Sequence, residues 1–306
     1  MNTPDHPQFL INVVVVSDYE ASEEKSWKDE RKILQALADQ DIDKPFQVIL
    51  VENNSARNSV PNELTQIYPH VAIVFADSGQ SAKLKDEGIK HAQTEYVAVL
   101  EADCLPNREW LRALYEALCQ HNDFSIASGR TTYGDETMYK RCLSVLDRSF
   151  DNLGRPGETT NVSNNGALYR LPVLKKFPYP EAVTPFQSAR MRINIMHENG
   201  IKFYFEPKAV MRHAIGGFNF IRDFRRNTGY ADMMEHPRKT IAEIPKLLFK
   251  RLKSECADCL RLGPICLKWY DWPLLMLILL VVPFLQIPGM IDAVKQRKAI
   301  PHSSYR

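Results

Sequence analysis

Tyr96-Val97-Ala98-Val99-Leu100-Glu101-Ala102-Asp103 is a run of five apolar residues that ends on two carboxylates. A short, valine-containing run of this kind reads as a strand buried on both faces of a mostly parallel sheet. Its end falls where such a sheet collects ligands, outside the carboxyl ends of its strands. Side chains alternate along an extended chain, so Glu101 and Asp103 point the same way. Two close carboxylates repel each other unless a cation lies between them, and a hard divalent ion with oxygen ligands is the natural occupant. The plainer alternative is an acidic loop that caps the helix beginning near Arg108.

The neighbouring sequence repeats the pattern. Phe9–Val16, Phe46–Val51 and Val71–Ala76 are further apolar strand candidates, and Phe124–Ser128 follows them. Helical spacing predicts helices over Glu23–Asp39, Gln80–Ala92 and Arg108–Cys119, with Trp110, Leu111, Leu114 and Leu118 on one side of the last. The alternation predicts a doubly wound α/β domain. Thr131–Glu158 carries no clear period. Asn165–Tyr169, Phe203–Phe205 and Ala209–Arg212 are short strand candidates, and Ser188–Glu198 is a helix closed by Gly200.

The 306 residues suffice for one large α/β domain and an appendage, and 44% hydrophobic with 25% charged residues fits a globular chain. The net charge of +2 conceals an asymmetry. Residues 237–306 carry twelve Lys and Arg against five Asp and Glu, whereas the first 236 residues are net acidic. A basic tail on an acidic body seeks something anionic, and its apolar run favours lipid over nucleic acid. Leu247, Leu248, Phe249 and Leu252 interleave with Lys246, Lys250, Arg251 and Lys253, as in an amphipathic helix at a membrane surface. Trp269 and Trp272 then precede Leu274–Val282, and apolar character continues to about Ile291 with breaks at Pro283, Gln286, Pro288 and Gly289. A spanning helix takes roughly 20 apolar residues. The segment is expected to associate with a membrane, spanning or re-entrant; a buried core helix or a partner contact is the alternative. Residues 1–236 are thus expected to form the chemical domain and 237–306 a basic, apolar membrane-associated region. The six cysteines show no disulfide framework and no signal peptide opens the chain, so the expected location is the cytoplasmic side of the inner membrane. Cys256, Cys259 and Cys266 lack a second pair for a zinc site and read as free thiols.

Other residues offer chemistry one at a time. Glu52 ends a strand, where it can accept hydrogen bonds from a ribose or base or simply open a turn. Lys85, near a helix N-terminus, can bind phosphate or face water. His213 follows a strand and reads as a metal ligand or a hydrogen-bonded structural residue. Arg222, Arg225 and Arg226 can clamp a diphosphate or face water or lipid headgroups.

In order and spacing these pieces resemble the family-2 glycosyltransferases, over residues 10–230. Val13–Glu20 resembles the family's opening strand, with Tyr19 and Glu20 in the matching places. Glu52 sits at the nucleotide-binding acidic position, Lys85-Asp86-Glu87-Gly88 resembles Arg-Asn-x-Gly, and Glu101-Ala102-Asp103 resembles the metal-binding Asp-x-Asp. Asn165-Gly166-Ala167 resembles the acceptor-side stretch, and Pro207–His213 the Pro-x-Ala-x-Val-x-His ending. The resemblance implies a GT-A fold, Rossmann-like with a mixed, mostly parallel sheet flanked by helices; the C-terminal helical membrane-associated segment, read from the composition of the tail, follows it. It implies transfer of a sugar from a nucleoside diphosphate sugar to a glycan or lipid-linked acceptor, with inversion and with Mg²⁺ or Mn²⁺. Tyr19, Glu20, Glu52, Lys85 and Asp103 would contact the donor; Glu101, Asp103 and His213 would hold the metal. Nucleic acid is not an expected partner.

One departure stands out. The family's Glu-Asp pair, source of the general base, is missing before Ser188–Glu198. Glu181 is the one carboxylate between Glu158 and Glu198 and is the candidate base beside Asp103 as the second catalytic residue. Without a base, a catalytically inactive domain that binds nucleotide-sugar or scaffolds a membrane complex is the alternative. A nucleotidyltransferase is disfavoured, since no Gly-rich phosphate loop follows Phe9–Val16.

Overall fold

The computed structural model describes residues 9–17, 27–182, 185–215, 217–234 and 240–296. Its elements run β1 (Ile11–Val16), α1 (Lys28–Ala38), β2 (Phe46–Asn53), α2 (Glu63–Ile67), β3 (Val71–Ala76), α3 (Ser81–His91), β4 (Tyr96–Glu101), β5 (Cys104–Pro106) and α4 (Trp110–Gln120). They continue with β6 (Ile126–Thr132), α5 (Met138–Asp147), β7 (Gly157–Thr159), β8 (Ala167–Arg170), α6 (Leu171–Lys176), α7 (Pro185–Glu198) and β9 (Phe203–His213). The described residues end with α8 (Phe218–Met234), α9 (Ile244–Cys266), α10 (Trp272–Val281) and α11 (Ile287–Gln296).

Among the described residues the strands form one sheet in the order β3-β2-β1-β4-β8-β6-β9-β5, with β7 paired to β9. The first four of these strands are mutually parallel, and β8 enters antiparallel to β4 and β6. The fold is therefore a mixed α/β sheet flanked by helices. Its central parallel strands are buried on both faces: every residue of β1 and of β4 is buried, while edge strand β3 is half-buried. Alternation divides the parallel half between two helical layers. Val13, Val15, Val48, Leu50, Ala98 and Leu100 share one face and pack with Ile33, Leu34 and Leu37 of α1. Val14 and Val51 lie on the other face, against α3: a Cβ at Gly88 would fall 2.4 Å from Val14 Cγ1 and 2.9 Å from Val51 Cγ2. Only glycine lets that helix come so close.

By their contacts the residues group into two units. The first holds residues 1–131, 155–179 and 192–212, and the second holds 132–154, 180–191 and 213–306. In the second, α5 and α8 pack with α9 and α10 around Leu143, Leu146, Ile221, Leu262, Leu275 and Ile278. Helices α8 and α11 cross at backbone contact. A Cβ at Gly289 would lie 1.8 Å from the Arg226 carbonyl, and one at Gly229 would lie 2.2 Å from the carbonyl of Gln286. Arg225, 1% exposed, bonds the carboxylates of Asp147 and Glu255. Arg141 grips Asp271 through two bonds of 2.7 Å, and Arg226 pairs with Asp292.

Several local expectations change. Phe203–Phe205 and Ala209–Arg212 are parts of one strand, β9, which runs through Pro207. Proline contributes no N–H to a ladder, and beside it the Lys208 amide bonds to Glu206 Oε1 at 3.0 Å instead. The aperiodic stretch 131–158 contains α5, capped by Thr137 Oγ1 accepting from the Lys140 amide at 3.2 Å. Buried Arg141 and Asp147 mask its apolar repeat. The expected helix Glu23–Asp39 begins at Lys28 in the described residues; its first part, like Tyr19 and Glu20, lies outside them. Arg222, Arg225 and Arg226, read as a diphosphate clamp or as residues facing water or headgroups, make four ion pairs among the described residues of the second unit: Arg222 with Asp223, Arg225 with Asp147 and Glu255, and Arg226 with Asp292.

Removing one partner of a buried ion pair leaves the other charge uncompensated and costs about 3–5 kcal/mol. Arg225→Met is expected to lower the melting temperature by roughly 10 °C, measured by differential scanning calorimetry. Arg222→Met removes an exposed pair and should change stability by less than about 1 kcal/mol.

Candidate functional site

Strand register sets the site. Val16 of β1 lies between Val51 of β2 and Glu101 of β4, so these strands end together at the carboxyl edge of the sheet. Glu101 shares a face with Val16 and Val51, the face covered by α3. Lys85 reaches it from that helix, Nζ to Oε1 2.6 Å, and is itself fully buried. Ser81, one turn earlier, donates its hydroxyl to the same oxygen at 2.8 Å. Lys85 Nζ also donates to Asn165 Oδ1 at 2.8 Å, and the Asn165 amide donates to Glu101 Oε2. The adjoining Asp86 accepts from the Tyr179 amide at 3.2 Å, and the Tyr179 hydroxyl donates to Asn164 Oδ1 at 2.7 Å. Burial raises the Asp86 carboxyl above its ordinary value, against the Tyr179 amide bond that lowers it.

Residues 81–88 therefore form one stripe of α3 in which Ser81 and Lys85 hold Glu101 and Gly88 permits the approach. Lys85, expected at a phosphate, is placed at Glu101. The i, i+4 spacing of Ser81 and Lys85 is the signal that links Ser81 to this site.

After Glu101 the chain turns through Ala102, whose amide bonds the Val16 carbonyl at 3.0 Å, and Asp103 before β5. The extended geometry expected for Glu101-Ala102-Asp103 is thus a turn. Both carboxylates are nonetheless buried together. Glu101, Asp103, Cys104 and His213, the last residue of β9, each bring one ligand atom within 4.8 Å of the others. The His213 Nδ1–H donates to the Ala214 carbonyl at 2.7 Å, so the neutral ring that binds a metal would offer it Nε2. The Cys104 thiol donates to Asp103 Oδ1 at 3.4 Å. A carboxylate and an imidazole suit a divalent cation. Among the described residues this is the one group of three or more such side chains. Cys104 is a member the sequence reading missed, since one thiol beside an acidic pair carries no spacing signal.

Glu52 lies on the opposite face, the face of α1. It is fully buried, and neither carboxyl oxygen has a hydrogen-bond partner among the described residues. Burial, with Glu30 nearby adding like charge, pushes its pKa up to about 9. Glu30 is itself buried on α1, accepts the Ser17 hydroxyl at 2.9 Å and is raised chiefly by desolvation. The structure thus brings Glu101, Asp103, Lys85, Asn165 and His213 together and sets Glu52 apart on the other sheet face. Glu181 is exposed, in the second unit.

The Glu52 shift has a stability consequence. A carboxyl with a folded pKa above its unfolded value binds more protons folded than unfolded between the two values. Its contribution to stability is therefore lost as pH rises from about 4.5 to about 9. Glu52→Gln, which cannot ionise, should melt higher than the parent, by a gap that widens between pH 5 and pH 9 in calorimetric scans. An equal gap at both ends would show Glu52 to be ionised and paired.

The model of the glycosyl transferase family 2 matches residues 23–177. No match to the sequence exists among curated proteins. Among solved structures, the mannosyltransferase PcManGT from Pyrobaculum calidifontis, in complex with GDP-Man and Mn²⁺, is 14% identical with a TM-score of 0.61, covering 95% of this chain and 89% of that one. S. aureus TarS 1–349 is 16% identical with a TM-score of 0.48, covering 94% of this chain and 81% of that one. The family model takes in β2, α3, the Lys85–Glu101 pair, Asp103 and Asn165, half of the sequence: the chain belongs to glycosyl transferase family 2.

Proposed function

We propose that this glycosyltransferase moves a sugar, with inversion, from a nucleoside diphosphate sugar to a hydroxyl of a glycan or lipid-linked acceptor at the cytoplasmic face of a membrane. The observation that carries the reading is the buried group of Glu101, Asp103 and His213 at the carboxyl edge of a family-2 sheet. Asp103 and His213 would hold Mg²⁺ or Mn²⁺. Glu101 supports them from its bonds to Lys85, Ser81 and Asn165. When bound, the ion supplies Lewis-acid stabilisation of the charge that develops on a leaving diphosphate. The bound Mn²⁺ of the Pyrobaculum calidifontis mannosyltransferase supports this choice of ion. Tyr19, Glu20 and Glu52 remain the proposed donor contacts, and Glu181 the proposed base.

A second reading, an inactive domain that binds nucleotide-sugar, draws on the exposure of Glu181. Turnover decides between them. A general base contributes typically 10²–10⁴-fold, so Glu181→Gln should lose about that much turnover while retaining nucleotide affinity. A parent with no turnover on any nucleotide-sugar and acceptor pair would favour the inactive reading.

The metal assignment predicts that UDP or GDP binds more tightly with Mn²⁺ than with EDTA in titration calorimetry. Asp103→Asn should abolish most of that difference, roughly tenfold or more in Kd. Equal affinity with and without metal would refute it.

The second unit is also proposed to associate with a membrane, on the apolar stretch Trp269–Lys295 and the basic charge around it.

A further inference from the structure

Trp269–Lys295 is long and apolar enough to cross a membrane, yet 44% of its most apolar window is buried inside the protein. Along α10 and the 3-10 turn Val282–Gln286 that follows it, burial alternates with the helical repeat. Leu275, Ile278, Leu279, Val282 and Gln286 are buried, while Met276, Leu277, Leu280, Val281 and Phe284 are exposed. Each set recurs at three- and four-residue intervals, so each is one stripe. The inner stripe packs on α5, α8 and α9. The outer stripe should be polar on a helix that faces water. Here it is wholly apolar, with Leu280 65% and Leu277 59% exposed.

Helix α9 extends this surface. Phe249, 70% exposed, stands with Leu248, Leu252, Ile287, Pro283 and Phe284 in a groove of about 520 Å³ between α9 and the Val282–Gln286 turn. Every residue lining the groove is apolar. The same helix exposes Lys246, Lys250 and Lys253, and Lys268 adjoins Trp269, which is 84% exposed. Exposed apolar area of this extent marks an interaction surface. Lysines and an exposed tryptophan at its margin match an anionic headgroup layer.

The ion pairs of the second unit argue against insertion across the bilayer. Asp271 at the start of α10 is held by Arg141, and Asp292 of α11 by Arg226. Gly229 and Gly289 fix α11 against α8. Drawing Trp269–Lys295 into lipid as a lone helix would separate both ion pairs and expose the buried inner stripe.

We propose that the second unit lies on an anionic bilayer with α9 and α10 in the membrane plane, the Met276–Phe284 outer stripe sunk in the acyl layer, and no part of Trp269–Lys295 crossing. This rests on the membrane reading above, and the test separates the two. Full-length protein is floated with vesicles of phosphatidylcholine alone and with added phosphatidylglycerol. Tryptophan quenching is then compared for bromine placed shallow or deep on the acyl chains, with Trp269→Phe as the reference that isolates this residue. The proposal expects flotation favoured at least tenfold by phosphatidylglycerol, quenching of Trp269 strongest by shallow bromine, and release by alkaline carbonate. Leu277→Glu with Leu280→Glu should abolish flotation with an unchanged melting temperature, since both side chains face outward. Binding that resists carbonate, with protease-accessible sites on both sides of the vesicle, would overturn the in-plane placement and leave membrane association standing. Failure to float with either vesicle would overturn both. A dimer in sedimentation that the double variant converts to monomer, with no flotation, would make the stripe a contact between two copies and would also overturn both.

Discussion

Lys85 carries its charge into the interior with no solvent contact, and the carboxyl edge of the sheet is organised around how that charge is met. Glu101 takes it at 2.6 Å, Ser81 shares the same oxygen, and Asn165 bridges ammonium and carboxylate. A buried ion pair is costly to break from one side, because the remaining charge stays desolvated. The pair therefore ties α3, β4 and the turn before β8 into a single arrangement. It also decides what reaches a ligand. With Glu101 held by Lys85, Asp103 and His213 stand beside it as the further ligand groups of the cluster.

The two faces of the parallel sheet solve one electrostatic problem in different ways. On the α3 face the buried Glu101 has a lysine ammonium built in beside it. On the α1 face Glu52 and Glu30 are buried near each other and desolvation pushes both toward the protonated form. A neutral carboxyl has a proton to donate, whereas the oxygens of Glu101 accept from Ser81, Lys85 and Asn165. The ends of β2 and β4, on either side of β1, thus differ in hydrogen-bonding surroundings according to which helix covers which face.

The parallel half of the sheet was legible in the chain because its strands are short apolar runs with polar ends, and β3 coincides with the expected Val71–Ala76. Glu101 and Asp103 were legible as a pair for the same reason: they mark a strand end. The role of Lys85 was not, since a lysine on a helix reads as solvated until tertiary contact shows a carboxylate against it. Strand β9 was broken in two by Pro207, and α5 was obscured by the buried charges that give it its place. Those charges are matched by Arg225 and Asp271, 78 and 130 residues further along the chain. Pairing over such separations leaves no local trace. The alternation that leaves Glu52 and Glu101 on opposite faces was readable in principle, but only once the register of β1 against both neighbours was known.

That distance has a consequence for how the chain comes off the ribosome. Arg225 needs Asp147, made long before it, and Glu255, made after it; α8 also needs Gly289 of α11 to complete its crossing. Contacts of large sequence separation form late, because loop closure precedes any gain from them. Strands β1 to β4 and the helices between them can assemble while synthesis continues, since their partners are already present. The second unit must wait with its charges unpaired and its leucine stripes uncovered until Glu255 and Gly289 have emerged. During that interval the nascent chain presents an apolar, basic surface larger than the finished protein does, and a nearby bilayer would be a shelter for it before the fold is complete.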